Sequence, residues 1–128
     1  MKKYKIIFWI TTGIIFLVEG VMPLSTLFFA PEHFNTGTKP LGYPDYFAYA
    51  LIISKTLGAT AIMLPKLSGT LREWAYAGLT FNLIYAVFSH AVVDGKFSYI
   101  LSPIIVGIIL AISYVYNRKI KLYGKNKL

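Results

Sequence analysis

The chain has 128 residues, 56% of them hydrophobic, with a mean hydropathy of +0.60, a net charge of +8 and no cysteine. This length supports one compact unit, and its apolar residues form runs too long and too numerous to leave room for a water-soluble domain. The missing cysteine excludes disulfides, thiol redox chemistry, iron–sulfur ligation and cysteine nucleophiles.

The first apolar run covers residues 6–28, close to the ~20 residues that a helix needs to cross a ~30 Å hydrocarbon core. Lys2, Lys3 and Lys5 precede it. A basic start before an apolar stretch also fits a secretory signal. Against that, no A-x-A-like cleavage pattern follows, Pro31 comes directly after Ala30, and three further apolar runs need an anchor-like start. Within this run lies Glu19, and Thr12, Glu19 and Thr26 recur every seventh residue. The connection at residues 29–43 contains Pro31, Gly37, Pro40 and Gly42 and is the one long loop. It is too polar to cross the membrane and too short to fold alone, so it is expected to lie over one mouth of a bundle.

The second run, residues 44–64, opens with Pro44 and Asp45, both suited to the first turn of a helix, and is expected to stop at Pro65. It carries Lys55, with Ser54 and Gly58 as a small-xxx-small pair that allows close helix approach. The third run, residues 71–92, follows Thr70-Leu71-Arg72-Glu73, an S/T-x-x-E capping pattern. Trp74, Gly78, Asn82, Ala86 and His90 recur every fourth residue, a stripe expected to point inward. The fourth run, residues 97–117, contains Ser102-Pro103, which marks either a later helix start or a kink. A basic tail, residues 118–128, follows.

Positive charge collects at the N-terminus, at Lys66 and Arg72, and in the tail. The other two connections carry Lys39 and Lys96 with Glu32, Asp45 and Asp94 nearby. This alternation predicts an antiparallel four-helix membrane bundle with both termini cytoplasmic, located in the cell (plasma or inner) membrane. The tail then meets anionic lipid headgroups. Nucleic acid is not expected as a partner, because no basic helix face or aromatic platform accompanies the charge. Tyr4, Trp9, Trp74, Tyr76, Tyr114 and Tyr116 fall near one predicted boundary, and Phe28, Phe29, Tyr43, Tyr46, Phe97 and Tyr99 near the other, as an aromatic belt would.

Charged residues inside spans are costly and usually face the bundle interior with a partner. At ~1.5 Å per residue, Glu19 lies ~20 Å, Lys55 ~13 Å and Asn82 ~15 Å from the basic boundary, a spread of about one helical turn. A buried Glu19–Lys55 pair with Asn82 as donor leaves neither charge isolated. Two readings stay open: a pair that only fixes helix partner and register, and a cavity that binds a polar head group or moves a proton. His90, beside Ser89 and four residues before Asp94, reads as an interfacial histidine capped by a neighbour, or as a metal ligand, quinone-ring donor or pH sensor. One His and one Asp make no zinc shell, and no second intramembrane histidine is present for haem. No H-E-x-x-H, phosphate loop or Ser/His/Asp order is present.

The stretches Leu41-Gly42-Tyr43-Pro44-Asp45-Tyr46-Phe47 and Lys55-Thr56-Leu57-Gly58-Ala59 resemble the DoxX-like family of small membrane proteins. So do Leu71-Arg72-Glu73-Trp74-Ala75-Tyr76-Ala77-Gly78 with Phe81, then Ser89-His90, and Glu19-Gly20-Val21-Met22-Pro23 in the first run. The resemblance spans nearly the whole chain and implies a four-helix integral membrane protein. Its motif residues here are Lys55, Glu73, Trp74 and His90, and many relatives carry Asp where this chain has Asn82. Relatives in the broader group are associated with quinone-linked respiratory complexes, oxidative-stress complexes or assembly of other membrane proteins.

The expectation is therefore an accessory subunit of a membrane redox or stress-response assembly, without catalysis of its own. Its candidate polar cavity is Glu19, Lys55, Asn82 and His90, a quinone is its candidate ligand, and no metal is called for. Its partners would be the bilayer and either other membrane subunits or further copies of itself. The alternatives are a scaffold or assembly factor without ligand, and a small proton-coupled transporter using Glu19.

Overall fold

The structure, a computed structural model, describes residues 2–64 and 67–127, with side chains through Leu122. The helix stop expected at Pro65, the charge of Lys66 and the side chains of Lys125 and Lys127 lie outside the described residues. Among the described residues, four helices are long and apolar enough to cross a membrane: α1 (Lys2–Phe29), α2 (Asp45–Met63), α3 (Gly69–Val93) and α4 (Phe97–Lys127). They form an antiparallel ring in which α1 packs on α2 and α4, and α3 packs on α2 and α4. Both described ends of the chain meet: the Tyr4 and Tyr116 rings touch edge-on at 5.7 Å, and Lys119 Nζ lies 5.4 Å from the Tyr4 ring. We call this the basic end and the opposite one the loop end.

Two details differ from the sequence reading, and a third decides between alternatives it left open. The residues expected to form a tail after 117 continue α4 to Lys127, since Lys, Arg and Leu are good helix formers. Helix α3 is capped by Ser68, whose hydroxyl accepts the Leu71 N–H at 3.3 Å. Ser68 has the extended backbone that a cap needs, whereas Thr70 is already helical and Glu73 instead faces Arg118 Nη1 at 3.4 Å. Pro103 lies inside α4, which starts at Phe97.

Helix α1 is not uniform. It is α-helical over Lys2–Ile15, takes a π-helical turn over Phe16–Val21, and is α-helical again over Met22–Phe29. Pro23 explains the position of the turn. A proline ring clashes with the carbonyl four residues earlier, here Glu19, and the wider π-turn moves that carbonyl away. The Met22 N–H correspondingly reaches back to the Leu17 carbonyl. Thr56 of α2 donates to the Gly20 carbonyl at 3.4 Å, giving the loosened backbone a partner from a neighbouring helix.

The basic half is densely packed. Ile15, Ile62, Tyr76, Leu79, Leu83 and Leu110 form its core. Ser113 Oγ lies 2.7 Å from both Thr12 Oγ1 and Tyr76 Oη, joining three helices through hydroxyls that are almost fully buried. Tyr76 therefore leaves the expected aromatic belt: only 3% of it is exposed, and its hydroxyl is satisfied inside the bundle. Arg72 closes the same end by donating to Asn117 Oδ1 at 3.1 Å and to the Leu64 carbonyl. Two helix contacts are close at glycine. A methyl group on Gly20 would meet Ala59 Cβ at 3.3 Å, and one on Gly58 would meet Leu79 at the same distance.

Candidate functional site

The loop half is not packed. It holds a cavity of about 940 Å³, lined by all four helices and by the long loop. Glu19, Lys55, Asn82 and His90 all line it. The structure brings the first three together and places His90 apart.

The π-turn carries Glu19 into the bundle, where 4% of the residue is exposed. Lys55 Nζ sits 2.8 Å from Glu19 Oε2, and Asn82 Nδ2 donates to the same oxygen at 3.5 Å. A lysine has three donors and no acceptor, and an amide has two donors and an acceptor. Glu19 Oε2 takes one hydrogen from each, so the remaining ammonium hydrogens, the Asn82 carbonyl and Glu19 Oε1 have no partner among the described residues. None of these atoms is sealed within protein, since the one fully buried unpaired side-chain atom among the described residues is Arg72 Nε. The floor of the cavity is thus a neutral ion pair that still presents donors and acceptors. An amide at position 82 donates to Glu19 directly, which an ionised aspartate could not do.

His90 lies eight residues beyond Asn82 on α3, about 12 Å along the axis. Its Nδ1 is 2.9 Å from Asp94 Oδ2. That contact, with the Lys96 backbone N–H at 3.2 Å from Oδ1, holds the Asp94 carboxyl below the usual carboxylate range. An ionised Asp94 accepts from Nδ1–H, so in a neutral His90 ring Nε2 is the bare acceptor. The Tyr99 ring lies 5.5 Å away, with Lys96 Nζ over it at 5.2 Å.

The loop roofs this end. His33, Phe34, Thr38 and Leu41 reach the cavity. Asn35 Nδ2 donates to Asp45 Oδ1 at 2.9 Å, and the hydroxyls of Tyr43 and Ser89 lie 2.7 Å apart. Phe34 stacks on Tyr49, and Tyr43 on Phe47.

The expected inward stripe on α3 is corrected in part. Trp74 faces outward at 70% exposure, while Gly78, Asn82, Ala86 and His90 line the cavity. A stripe of fourth residues drifts about 40° per step around a helix, so its ends cannot share one face. The packed face is Tyr76, Leu79 and Leu83. Sequence reasoning did not reach the π-turn, the Thr56–Gly20 contact or the Tyr43–Ser89 pair. For the π-turn a signal existed, a proline four residues after an intramembrane glutamate. The Tyr43–Ser89 pair joins residues 46 positions apart and leaves no local trace.

Among the described residues no group of His, Asp and Glu is placed to hold a metal ion. The model of the DoxX-like family matches residues 7–113, from the first helix to the last. The chain belongs to the DoxX-like family. No curated protein and no solved structure matches it. Family and helices together make it a multi-pass membrane protein, with its intramembrane charges set beneath an open cavity.

Proposed function

We propose that this DoxX-like protein binds a quinone-like molecule in the loop-half cavity and serves as an accessory subunit of a membrane redox or stress-response assembly. The supporting observation is the floor: an ion pair and an amide with unpartnered donors beneath a large, mainly apolar chamber. Lys55 and Asn82 supply hydrogen bonds to a ring oxygen, and Glu19 Oε1 accepts from a ring hydroxyl. His90 stands at the other pole of the chamber. A para-quinone, with oxygens pointing in opposite directions, suits two poles about 12 Å apart along α3. Neutral His90 accepts from a quinol through Nε2, and protonated His90 donates to a quinone. Electrons come from a partner, because the chain's own side chains include no thiol and its motifs hold no redox group. The charge bias of the sequence supports a basic end in the cytoplasm and a bundle in the cell membrane.

The test is native mass spectrometry and lipid extraction of protein taken gently from its own membrane. A stoichiometric quinone that disappears in Lys55→Met is the expected result. Quinone present only at its bulk lipid ratio sinks the reading. A scaffold role is the second reading, favoured by the Glu19–Lys55 contact itself, which already ties α1 to α2 without any ligand. Protein accompanied only by other polypeptides would support it.

A further inference from the structure

The cavity has a roof and a floor, and its side wall is incomplete. In the basic half, α1 and α4 form an extensive helix–helix seam. Beyond the π-turn that seam is lost: Met22–Phe29 packs on the π-turn, on α2 and on the first turn of the loop, with no extended seam to α4. The cavity nevertheless reaches both sides of this gap, touching Met22, Pro23 and Thr26 on α1 and Ser102, Pro103 and Val106 on α4. A proline therefore stands on each side. With the π-turn, these are the features that redirect helices.

The gap lies within the membrane. Pro103 and Val106 are six and nine residues into α4, about 9 and 14 Å from its start at the loop end. Residues flanking the gap are lipid-facing: Met22 is 62% exposed and Ile105 49%. At the aqueous end the loop is pinned across the cavity by the Asn35–Asp45 and Tyr43–Ser89 contacts.

Resting on the binding reading above, we infer that the gap between α1 and α4 is a lateral portal. Through it a single-tailed, net-neutral amphiphile enters from the hydrocarbon of the loop-end leaflet and leaves its tail in the bilayer. The chemistry of the floor sets the head group. Glu19 and Lys55 already neutralise each other at 2.8 Å, so a charged head would bring an unbalanced charge into a desolvated site. A neutral head with carbonyl or hydroxyl oxygens meets the unpartnered donors and acceptors without that cost. A ring held between Lys55 and His90 along the bundle axis would direct a tail borne beside one oxygen sideways, toward the gap.

The absence of native cysteine makes the test direct. Protein is reconstituted in phosphatidylcholine nanodiscs with a decyl-tailed benzoquinone that carries a diazirine in mid-tail. Photolabelling should map to Met22, Thr26, Ser102 or Val106 and be competed away by unlabelled decyl-benzoquinone. In a second arm, Thr26→Cys with Ser102→Cys is bridged by a cleavable bifunctional maleimide, which should slow probe uptake about tenfold or more. Cleavage of the linker should restore uptake, showing that the variant is folded. Competed labels confined to residues 33–41, or unchanged uptake after bridging, overturn the portal while leaving the binding reading intact. Saturable binding that is absent altogether overturns both. A competing excess of decanoate should leave labelling unchanged, and competition by it would overturn the neutral-head assignment.

Discussion

The Glu19–Lys55 pair makes the sharpest prediction about stability. Lys55→Met removes the ammonium at 2.8 Å and leaves a carboxylate, almost fully buried, with only the Asn82 amide at 3.5 Å. Glu19→Gln leaves the ammonium beside an amide that cannot balance its charge. Breaking a buried pair from one side costs about 3–5 kcal/mol, whereas replacing both partners with neutral groups is often close to neutral. Each single variant should therefore lose about 3 kcal/mol or more, and the double variant should recover most of it. The coupling energy of the double-mutant cycle then approaches the sum of the two single costs. Lys55 tempers the expectation: its side chain is 21% exposed toward the cavity, so Glu19→Gln should be the milder change. Reversible unfolding in detergent micelles measures the cycle, with membrane expression as a second readout. If the two single losses simply add in the double variant, the residues do not act as a pair and the floor has been misread.

The hydroxyl cluster of the basic half behaves differently, because no charge is involved. Ser113→Ala strands both Thr12 and Tyr76 and should cost about 1–3 kcal/mol, whereas Tyr76→Phe leaves Thr12 and Ser113 paired and should cost about 1 kcal/mol or less; the same unfolding assay ranks them. Gly20→Val and Gly58→Val should each cost about 1–3 kcal/mol by overpacking, since even a methyl group meets Ala59 or Leu79 at 3.3 Å, while Gly78→Ala, with open space around it, should be near neutral. At the rim, the Asp94 carboxyl is held below its ordinary range by His90, so its contribution is present above the unfolded value and is lost as pH falls through the folded one. The difference in melting temperature between wild type and Asp94→Asn should be steady while His90 keeps one charge state, and should close below about pH 4. A difference that grows as pH falls below about 4 would contradict the assigned direction.

The four helices were legible because membrane spans advertise themselves: each needs a run of apolar residues, and charges inside such runs are rare enough to stand out. The same logic reached Glu19, Lys55 and Asn82, because axial depth follows from counting residues. Azimuth does not follow so simply. In a bilayer both faces of a helix are apolar, so the polarity contrast that orients a helix in water is weak, and Trp74 was assigned inward although it meets lipid. Tyr76 was misplaced for the related reason that tyrosine suits both an interface and a buried hydroxyl network. The α3 cap was misread by two residues because Ser68 and Thr70 are equally good capping residues, and backbone conformation decides between them.

The opening of the cavity between α1 and α4 was illegible because it depends on a change of helix type. A uniform α1 would turn its residues by 100° each, and the seam that joins it to α4 in the basic half would continue to the loop end. One π-turn breaks that continuity. It lies where Pro23 needs room behind it, and the residue whose carbonyl the proline would strike is Glu19. The same residue is thus where α1 loosens and where its charge enters the bundle. Gly20 lets α2 approach closely at that level, Thr56 attends to the backbone, and Lys55 meets the carboxylate one residue earlier on the same helix. The sequence Glu19-Gly20-Val21-Met22-Pro23 therefore couples charge placement to helix geometry. Removing the charge alone should leave the π-turn in place, because its cause is the proline ring. Pro23→Ala should let α1 tighten toward α-helix, turning Glu19 relative to Lys55 and drawing Met22–Phe29 back toward α4. Spin labels at Thr26→Cys and Ser102→Cys, read by electron–electron distance measurements, should then report a shorter separation in the Pro23→Ala background and an unchanged one in Glu19→Gln. The opposite pattern would make the ion pair, and not the proline, the origin of the opening.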